Sequence, residues 1–428
     1  MSKFSAPLVS VGSSADYVYK ILPLRQQAAI RDAWLEHRLE VIMPEIMRRH
    51  KLDAWLIIGR EYNEDPLLPS FLPATMLSAR RLTMLAFFLS PDDTLEKLTV
   101  SRYNIPPFYI SAWDPQHEGQ WDALARLIRE RDPQRIGINV GDDFALGDGL
   151  SHSLYQQLVQ ALGPDLSQRL CSAELASIAW LERRSEPEIA AYKGIVQIAH
   201  ALVQEAFSNR VIHPGVTSPE DVVWWLRQRT HDLGLTCWFQ PSVSIQRQGQ
   251  KQLLATTTIM PGDLLHCDFG LHYLGLATDT QQQAYVLKVD ESDAPAGLHA
   301  AFATANKLQD ILAEAMQVGR TGNEILRQAL TTAAAAGIKA SIYTHPIGYH
   351  GHGAGPTIGL WDAQEGVPGR GDYPLYNDTC HAMELNIVQA VPEWEGQEVR
   401  IALEQDVLMH EGRVIFLAGR QTKLHLID

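Results

Sequence analysis

The sequence predicts an α/β domain at residues 1–178, followed at residues 179–428 by an α+β domain built from two similar halves. Two observations lead to this fold class. In the first part of the chain, apolar strand-like runs alternate with helix-type patterns, which is typical of a mixed or parallel sheet with helices. In the second part, one order of turn, capped helix and strand occurs twice, about a hundred residues apart. At 428 residues the chain is also longer than one ordinary domain.

The first domain should begin with a long helix at Leu24–Arg49, where apolar residues recur at spacings of three and four. Short apolar runs bounded by turn residues then predict strands, with helices between them. In chain order we expect strands at Ala54–Gly59, Leu82–Leu89 and Lys97–Tyr103, a helix at Trp121–Glu130, a strand at Arg135–Gly141 and a helix at Leu150–Leu162. No convincing group of histidines, cysteines and carboxylates occurs here, so we interpret this domain as one for substrate access or oligomerisation.

The second domain should begin with a helix that starts near Ser185, has Pro187 in its first turn and runs to about Phe207. The two repeated segments that follow are His213–Leu235 and Val318–Ile338. Any two helices that follow a glycine-containing turn would look alike, so the repeat is a hypothesis at this point. If it is real, the domain carries a site between its halves.

Composition and charge exclude several classes of function. The chain is 46% hydrophobic and 20% charged, with a formal net charge of −14, which argues against a nucleic-acid or anionic-membrane surface. No apolar run reaches the roughly 18 residues of a membrane span, and the N-terminus lacks a signal-peptide core. Four widely separated cysteines predict a reducing compartment, with the cytoplasm as the default: Cys171, Cys237, Cys267 and Cys380.

The stretch Leu264–Thr280 carries two aspartates in apolar surroundings. Asp268 follows an apolar run, and Asp279 comes after two glycines in the connection. Two strands joined in this way would bring both carboxylates close together. An unpaired carboxylate is costly to bury, and a cation would remove that cost. The pair therefore points to metal ions, although an aspartate that caps a turn and another on a solvated face would give the same pattern.

The second half of this domain supplies further metal-binding residues. A glycine-rich stretch contains His345, His350 and His352, and later strand-like runs contain Glu384 and Glu404. Two aspartates, one histidine and two glutamates suit Mn, Co, Zn or Fe better than a structural zinc site, which prefers thiolates. Two such ions can hold a hydroxide, lower the pKa of bound water and polarise a carbonyl group.

The order of these residues resembles metallopeptidase family M24, which includes creatinase, aminopeptidase P, prolidase and methionine aminopeptidase. The family's metal ligands follow the order Asp, Asp, His, Glu, Glu. The interval of eleven residues from Asp268 to Asp279 matches the family's, as does DFG at the first aspartate. GHGAG around His352 resembles the family's GHGxG loop, and AMELNI around Glu384 resembles its EPG strand. VRIALEQDVLM around Glu404 resembles its closing R-I-E-D strand.

The resemblance implies a "pita-bread" fold with an internal pseudo-twofold repeat for the second domain, and a dinuclear metal site. It implies two divalent ions, with manganese favoured, and two bridging carboxylates, Asp279 and Glu404. The full set of metal ligands that it implies is Asp268, Asp279, His352, Glu384 and Glu404.

The resemblance also implies the reaction. A hydroxide that bridges the ions attacks the peptide carbonyl, while Glu384 acts as the proton shuttle. His350 is a second choice as metal ligand or a catalytic histidine, and His345 corresponds to the upstream histidine that binds substrate. An α/β domain ahead of the catalytic one is the layout of the proline-directed members. The implied substrate is therefore a short Xaa-Pro peptide, cleaved as by an aminopeptidase or a dipeptidase, and the implied assembly is a homodimer.

The sequence also departs from the family pattern. Trp361 stands where the family has a second histidine, and Gln281 and Gln282 stand where it often has T-R. Such neighbours of metal ligands tune affinity and substrate choice. Two alternatives therefore stay open. A non-catalytic binding or scaffold protein on a degenerate fold is favoured by these changes, and a creatinase-like, metal-independent C–N hydrolase is opposed by the intact carboxylates.

Overall fold

The computed structural model describes residues 15–428, which form two compact units. One unit comprises Pro23–Leu181, and the other comprises Glu182–Asp428 together with the segment that ends at Leu22. The expectation that the N-terminus carries no secretion signal concerns mainly residues 1–14, which lie outside the described residues. Within residues 15–428, no helix is both long and apolar enough to cross a membrane.

The unit Pro23–Leu181 combines helices with a six-stranded sheet, and a short helix α1 (Ala15–Val18) precedes it. A π-helical turn at Arg38–Ile42 joins its first two helices into one continuous helical segment. The helices are α2 (Leu24–His37), α3 (Met43–Arg49), α4 (Gln120–Arg131), α5 (His152–Ser167) and α6 (Glu174–Glu182). The strands are β1 (Ala54–Arg60), β2 (Leu82–Leu89), β3 (Leu95–Thr99), β4 (Ile110–Ser111), β5 (Ile136–Ile138) and β6 (Leu170–Ser172).

These strands follow the order β4-β3-β2-β1-β5-β6. β1 pairs antiparallel with β2 and parallel with β5, so the sheet is mixed. Its core includes alternate residues of β1 and the apolar faces of α4 and α5, such as Leu124 and Leu158. The elements predicted in this unit are all present, with ends shifted by a few residues. The sequence does not predict β4, β6 or α6, because the two strands are very short and α6 is buried on most sides.

The second unit begins with two helices, α7 (Glu186–Ala206) and α8 (Pro219–Asp232). The strands β7 (Thr236–Cys237), β8 (Ser242–Gln246), β9 (Leu264–Phe269), β10 (Leu271–Tyr273), β11 (Leu276–Ala277) and β12 (Thr280–Val286) follow. Two further helices are α9 (Ala296–Ala315) and α10 (Gly322–Ala335). The last strands are β13 (Ala340–Ile342), β14 (His345–Ile347), β15 (Thr379–Val391), β16 (Gln397–His410), β17 (Arg413–Phe416) and β18 (His425–Ile427).

Six strands of the large sheet follow the order β13-β15-β16-β12-β9-β8, which is symmetric about the β12–β16 pair. Each side of that pair comes from one half of the predicted repeat. In each half the second helix begins with a capping box, at Ser218 and at Thr321. α7 lies against β9 and β12, and α9 lies against β15 and β16 in the same way. The two halves therefore share one arrangement, in agreement with the repeat predicted from the sequence.

Side chains on β15 and β16 alternate between two environments. Met383, Leu385 and Leu403 belong to the hydrophobic core that also contains residues of α9 and α10. The intervening Glu384 and Glu404 point to the opposite face, because successive residues of a strand project to opposite sides. The sheet thus has an apolar face under the helices and a polar face that carries the predicted ligands.

Candidate metal centre

Four polar side chains form a row across the middle of the large sheet. Glu384 on β15 lies directly opposite Glu404 on β16, and Gln281 on β12 lies opposite Glu404 on its other side. Asp268 on β9 lies opposite Gln281. Directly opposite residues of an antiparallel pair project from the same face, so all four side chains share one face. The row crosses the junction between the two halves.

Asp279 lies immediately before β12, two residues ahead of Gln281. Its backbone N–H donates to the two carboxylate oxygens of Asp406, at 3.1 and 3.3 Å. Asp406 lies on β16, two residues after Glu404, and is 1% exposed. Burial raises the pKa of Asp406 well above its usual range, and the bond from Asp279 opposes part of that shift. The sequence assigns no site role to Asp406, although it lies in the run VRIALEQDVLM.

His345 on β14 joins Asp279 and Glu404 in a buried group. Its Nε2 atom lies 3.4 Å from Glu404 Oε1 and 3.7 Å from Asp279 Oδ2. One ligand atom from each of the three residues lies within 4.8 Å of the others. His345 Nδ1 is 3.0 Å from the carbonyl oxygen of Pro346, to which it donates. This bond turns Nε2 towards the carboxylates, as is usual for histidines that bind metals.

The other two histidines of the glycine-rich stretch lie outside this group. His352, the predicted ligand, is exposed, and its ring centroid is 4.7 Å from that of His345. It also packs edge-on against Trp238, with ring centroids 5.2 Å apart. His350 is half-buried; burial and the charges of His272 and Arg184 lower its pKa. The structure thus brings His345, and not His352 or His350, among the buried carboxylates.

Glycines let this loop fold closely against its surroundings. A Cβ atom on Gly351 would lie 2.3 Å from the indole ring of Trp238, so a larger residue would displace the ring. The N–H of Gly353 donates to the carbonyl oxygen of Pro346 at 2.7 Å. The loop therefore returns to the strand that carries His345, which explains why His345 and His352 are neighbours.

Electrostatics reflect the concentration of buried carboxylates. Burial raises the pKa of Asp268 to about 6 and that of Glu384 to about 7, with the charge of His345 opposing the second shift. Burial and the neighbouring carboxylates raise the pKa of Asp279 and Glu404 well above their usual range. Burial alone would lower the pKa of His345, but the hydrogen bond and charge of Glu404 raise it to about 9. Protons thus compete with any cation for this site.

The residues of this site fit a divalent metal ion. Asp268 Oδ1 and Asp279 Oδ1 are buried and accept no hydrogen bond from any residue in the described part of the chain. Leaving such oxygens without a partner is costly, and a cation would supply one. Several carboxylates with one imidazole are ligands that Mn²⁺ and related ions accept.

Gln281 is the member of the row that the sequence does not assign to the site. It is 2% exposed, and its Nε2 donates to Glu404 Oε2 at 3.1 Å and also to Glu384 Oε1. Its Oε1 lies 2.8 Å from His266 Nε2. In the sequence, this position stands out only as a departure from the family's T-R; the strand register shows that it faces the glutamates. Trp361, the other departure, is 77% exposed.

A family model described as metallopeptidase family M24 matches residues 190–411 of the chain. In the comparison with curated proteins, nothing matches. Among solved structures, an X-Pro aminopeptidase from Thermotoga maritima is similar at 16% identity and a TM-score of 0.65, covering 89% of this chain and 99% of that one.

Two further solved structures are similar over most of their length. A dipeptidase from Pyrococcus horikoshii has 16% identity and a TM-score of 0.59, covering 91% of this chain and 100% of that one. An Xaa-Pro dipeptidase from Bacillus anthracis has 15% identity and a TM-score of 0.59, covering 94% of this chain and 100% of that one. These likenesses confirm the predicted fold class: an α/β domain followed by a pita-bread domain.

Proposed function

The chain belongs to metallopeptidase family M24, whose model matches more than half of it, and we propose that it is a metal-dependent peptidase. The observation that carries the proposal is the buried group of Asp279, His345 and Glu404 in a fold shared with peptidases. We assign His345 as the imidazole ligand, because its Nε2 faces both carboxylates. His352, which the sequence favoured as ligand, then lies beside the ion and within reach of substrate.

A bound divalent ion would lower the pKa of water and polarise the peptide carbonyl. The chain's own residues would supply proton transfer and orientation. Glu384, with its pKa raised by burial to about 7, can both accept and return a proton near neutral pH. Asp406 holds the backbone of Asp279 in place. The family resemblance implies two ions held together by Asp268, Asp279, a histidine, Glu384 and Glu404, and metal content tests that expectation.

The substrate we propose is a short Xaa-Pro peptide, and the metal we favour is manganese. The first is supported by the peptidases that the fold resembles, two of which are described as acting on X-Pro peptides. The second is supported by oxygen-rich ligation with one imidazole. We also propose a cytoplasmic homodimer; the four cysteines are free thiols, which suits a reducing compartment.

The test compares two glutamates on β16. After removal of metal and reconstitution with Mn²⁺, Co²⁺ or Zn²⁺, the protein should bind metal and cleave a panel of Xaa-Pro peptides. Glu404→Gln should lose both properties, because it removes a buried charged ligand. Glu398→Gln is the matched control: it is the same change on the same strand at an exposed position, and should retain both. If wild-type protein binds none of these ions when they are added back and remains inactive, the peptidase proposal is refuted in favour of a scaffold.

The histidine assignment has its own test. His345→Ala should lose metal, whereas His352→Ala should retain metal and lose activity through a higher KM or lower kcat. The reverse result, with metal lost only in His352→Ala, would restore the ligand predicted from the sequence. Measuring metal content separately from activity makes the two histidines distinguishable.

A further inference from the structure

The side chain of Gln281 is fixed at both ends within the carboxylate row. Its amide nitrogen donates one hydrogen to Glu404 Oε2 and the other to Glu384 Oε1. Its amide oxygen lies 2.8 Å from His266 Nε2, the arrangement of an N–H that donates to it. All the polar atoms of the side chain are therefore engaged, and the buried amide has one orientation that satisfies them.

This arrangement divides the two oxygens of Glu404 between different partners. Oε1 faces His345 at 3.4 Å and belongs to the group that fits a metal ion. Oε2 receives the amide of Gln281 at 3.1 Å. A carboxylate that bridges two ions uses one oxygen for each ion. An N–H donor and a cation both present positive charge, so they cannot approach the same lone pair of one oxygen. In this chain the second oxygen of Glu404 is engaged by the amide.

Glu384 is affected in the same way. It lies on the far side of Glu404 from Gln281 along the row, and the amide reaches across to it. An ion bound between Glu384 and Glu404 would have to displace that amide and break its bonds to both glutamates and to His266. Displacement would leave buried polar atoms without partners, which costs free energy.

We propose that the amide of Gln281 takes the place of the second metal ion, so that this chain holds one divalent ion where the sequence leads one to expect two. The inference rests on the proposed metal site. The single ion is held by Asp279, His345 and Glu404, with the adjacent Asp268 available as a further ligand. Glu384, held by Gln281 away from any ion, remains free to exchange a proton with substrate.

The test is metal stoichiometry in Gln281→Thr and in the wild-type chain. Threonine is short enough to vacate the space between the glutamates and suits a strand. After metal removal and equilibration with Mn²⁺ at a fixed free concentration, elemental analysis should give about one ion per wild-type chain and about two per Gln281→Thr chain. Gln282→Thr is the matched control: Gln282 is also buried, but its Oε1 lies 2.7 Å from His425 Nε2. The control should keep one ion.

A second measurement needs no variant. The electron paramagnetic resonance spectrum of the wild-type Mn²⁺ protein should be that of an isolated ion, without the exchange coupling of two neighbouring ions. Two tightly bound, coupled ions in the wild-type chain would overturn the inference while supporting the proposed function. A Gln281→Thr chain that folds and still binds one ion would overturn it as well. Failure of every form to bind an ion would instead refute the metal site on which the inference rests.

Discussion

Metal-free protein should lose stability as the pH rises from about 6.5 to about 8.5, which is the reverse of ordinary acid denaturation. The reason lies in the buried carboxylates. Burial and neighbouring carboxylates raise the pKa of Asp279 and Glu404 well above their usual range. His345 acts in the same direction, since Glu404 raises its pKa to about 9. Groups whose pKa is raised in the folded state stabilise it at low pH, and that stabilisation is lost as the pH rises through the folded-state pKa.

The size of the effect follows from proton counting. Each proton that the folded state keeps and the unfolded chain releases lowers the free energy of unfolding by about 1.4 kcal/mol per pH unit. For His345, whose pKa is raised from 6.5 to about 9, the loss between pH 6.5 and 8.5 therefore amounts to about 2 kcal/mol, or a fall in Tm of about 4–8 °C. Buried histidines do not obscure this window. Burial lowers the pKa of His200 and His381 to about 3, so their stabilisation is lost only below 6.5.

The assay is thermal unfolding of the chelator-treated protein at several pH values, following the transition that Mn²⁺ shifts. Added Mn²⁺ should remove most of the slope, because the ligands bind as carboxylates. Asp279→Asn should reduce the slope in the metal-free protein, since the amide does not titrate. Glu398→Gln, at an exposed position, should leave it unchanged. If the stability of the metal-free protein is constant or rises between pH 6.5 and 8.5, the reasoning is refuted.

Three further outcomes are expected. Gly351→Ala should lower peptidase activity by about tenfold or more with metal retained, because the added Cβ would displace Trp238. The control Gly194→Ala should keep full activity, because a Cβ at this helical position would meet no atom within 4 Å. Asp406→Asn should weaken Mn²⁺ binding by about 10–100-fold in a competition titration, because it weakens the bond that fixes Asp279. Chelation should abolish activity, and readdition of Mn²⁺ should restore it; activity that survives chelation would favour the metal-independent alternative.

Much of the fold could be predicted from the sequence because its signals are local. The helix start at Ser185 and Pro187, the two capped helices of the repeat and the apolar run Leu82–Leu89 each depend on neighbouring residues, and each is present. The domain boundary after residue 178 stays a prediction. Short edge strands such as Ile110–Ser111 could not be predicted, since two residues are too few to show an alternation of apolar and polar side chains.

The residues of the candidate site also differ in whether local sequence is enough to predict their positions. Asp268 and Glu404 could be found because a carboxylate in an apolar strand needs an explanation, and one strand's alternation is enough to place it on the polar face. Gln281 and Asp406 could not be assigned, because their roles depend on which residues of other strands lie opposite. Gln281 faces the glutamates only through the register of β12 with β16, a pairing between residues more than a hundred positions apart.

The histidines show why a loop is harder to interpret than a strand. The glycine-rich pattern around His352 resembles a ligand loop, but a loop lacks the regular alternation that fixes the direction of side chains on a strand. His345 lies on a three-residue strand, opposite Ala382 of the strand that carries Glu384, so the sheet directs its ring towards the carboxylates. The backbone bond to Pro346 then fixes which nitrogen faces them. His345 therefore lies on a regular strand among the buried carboxylates, whereas His352 lies in an exposed position of the loop.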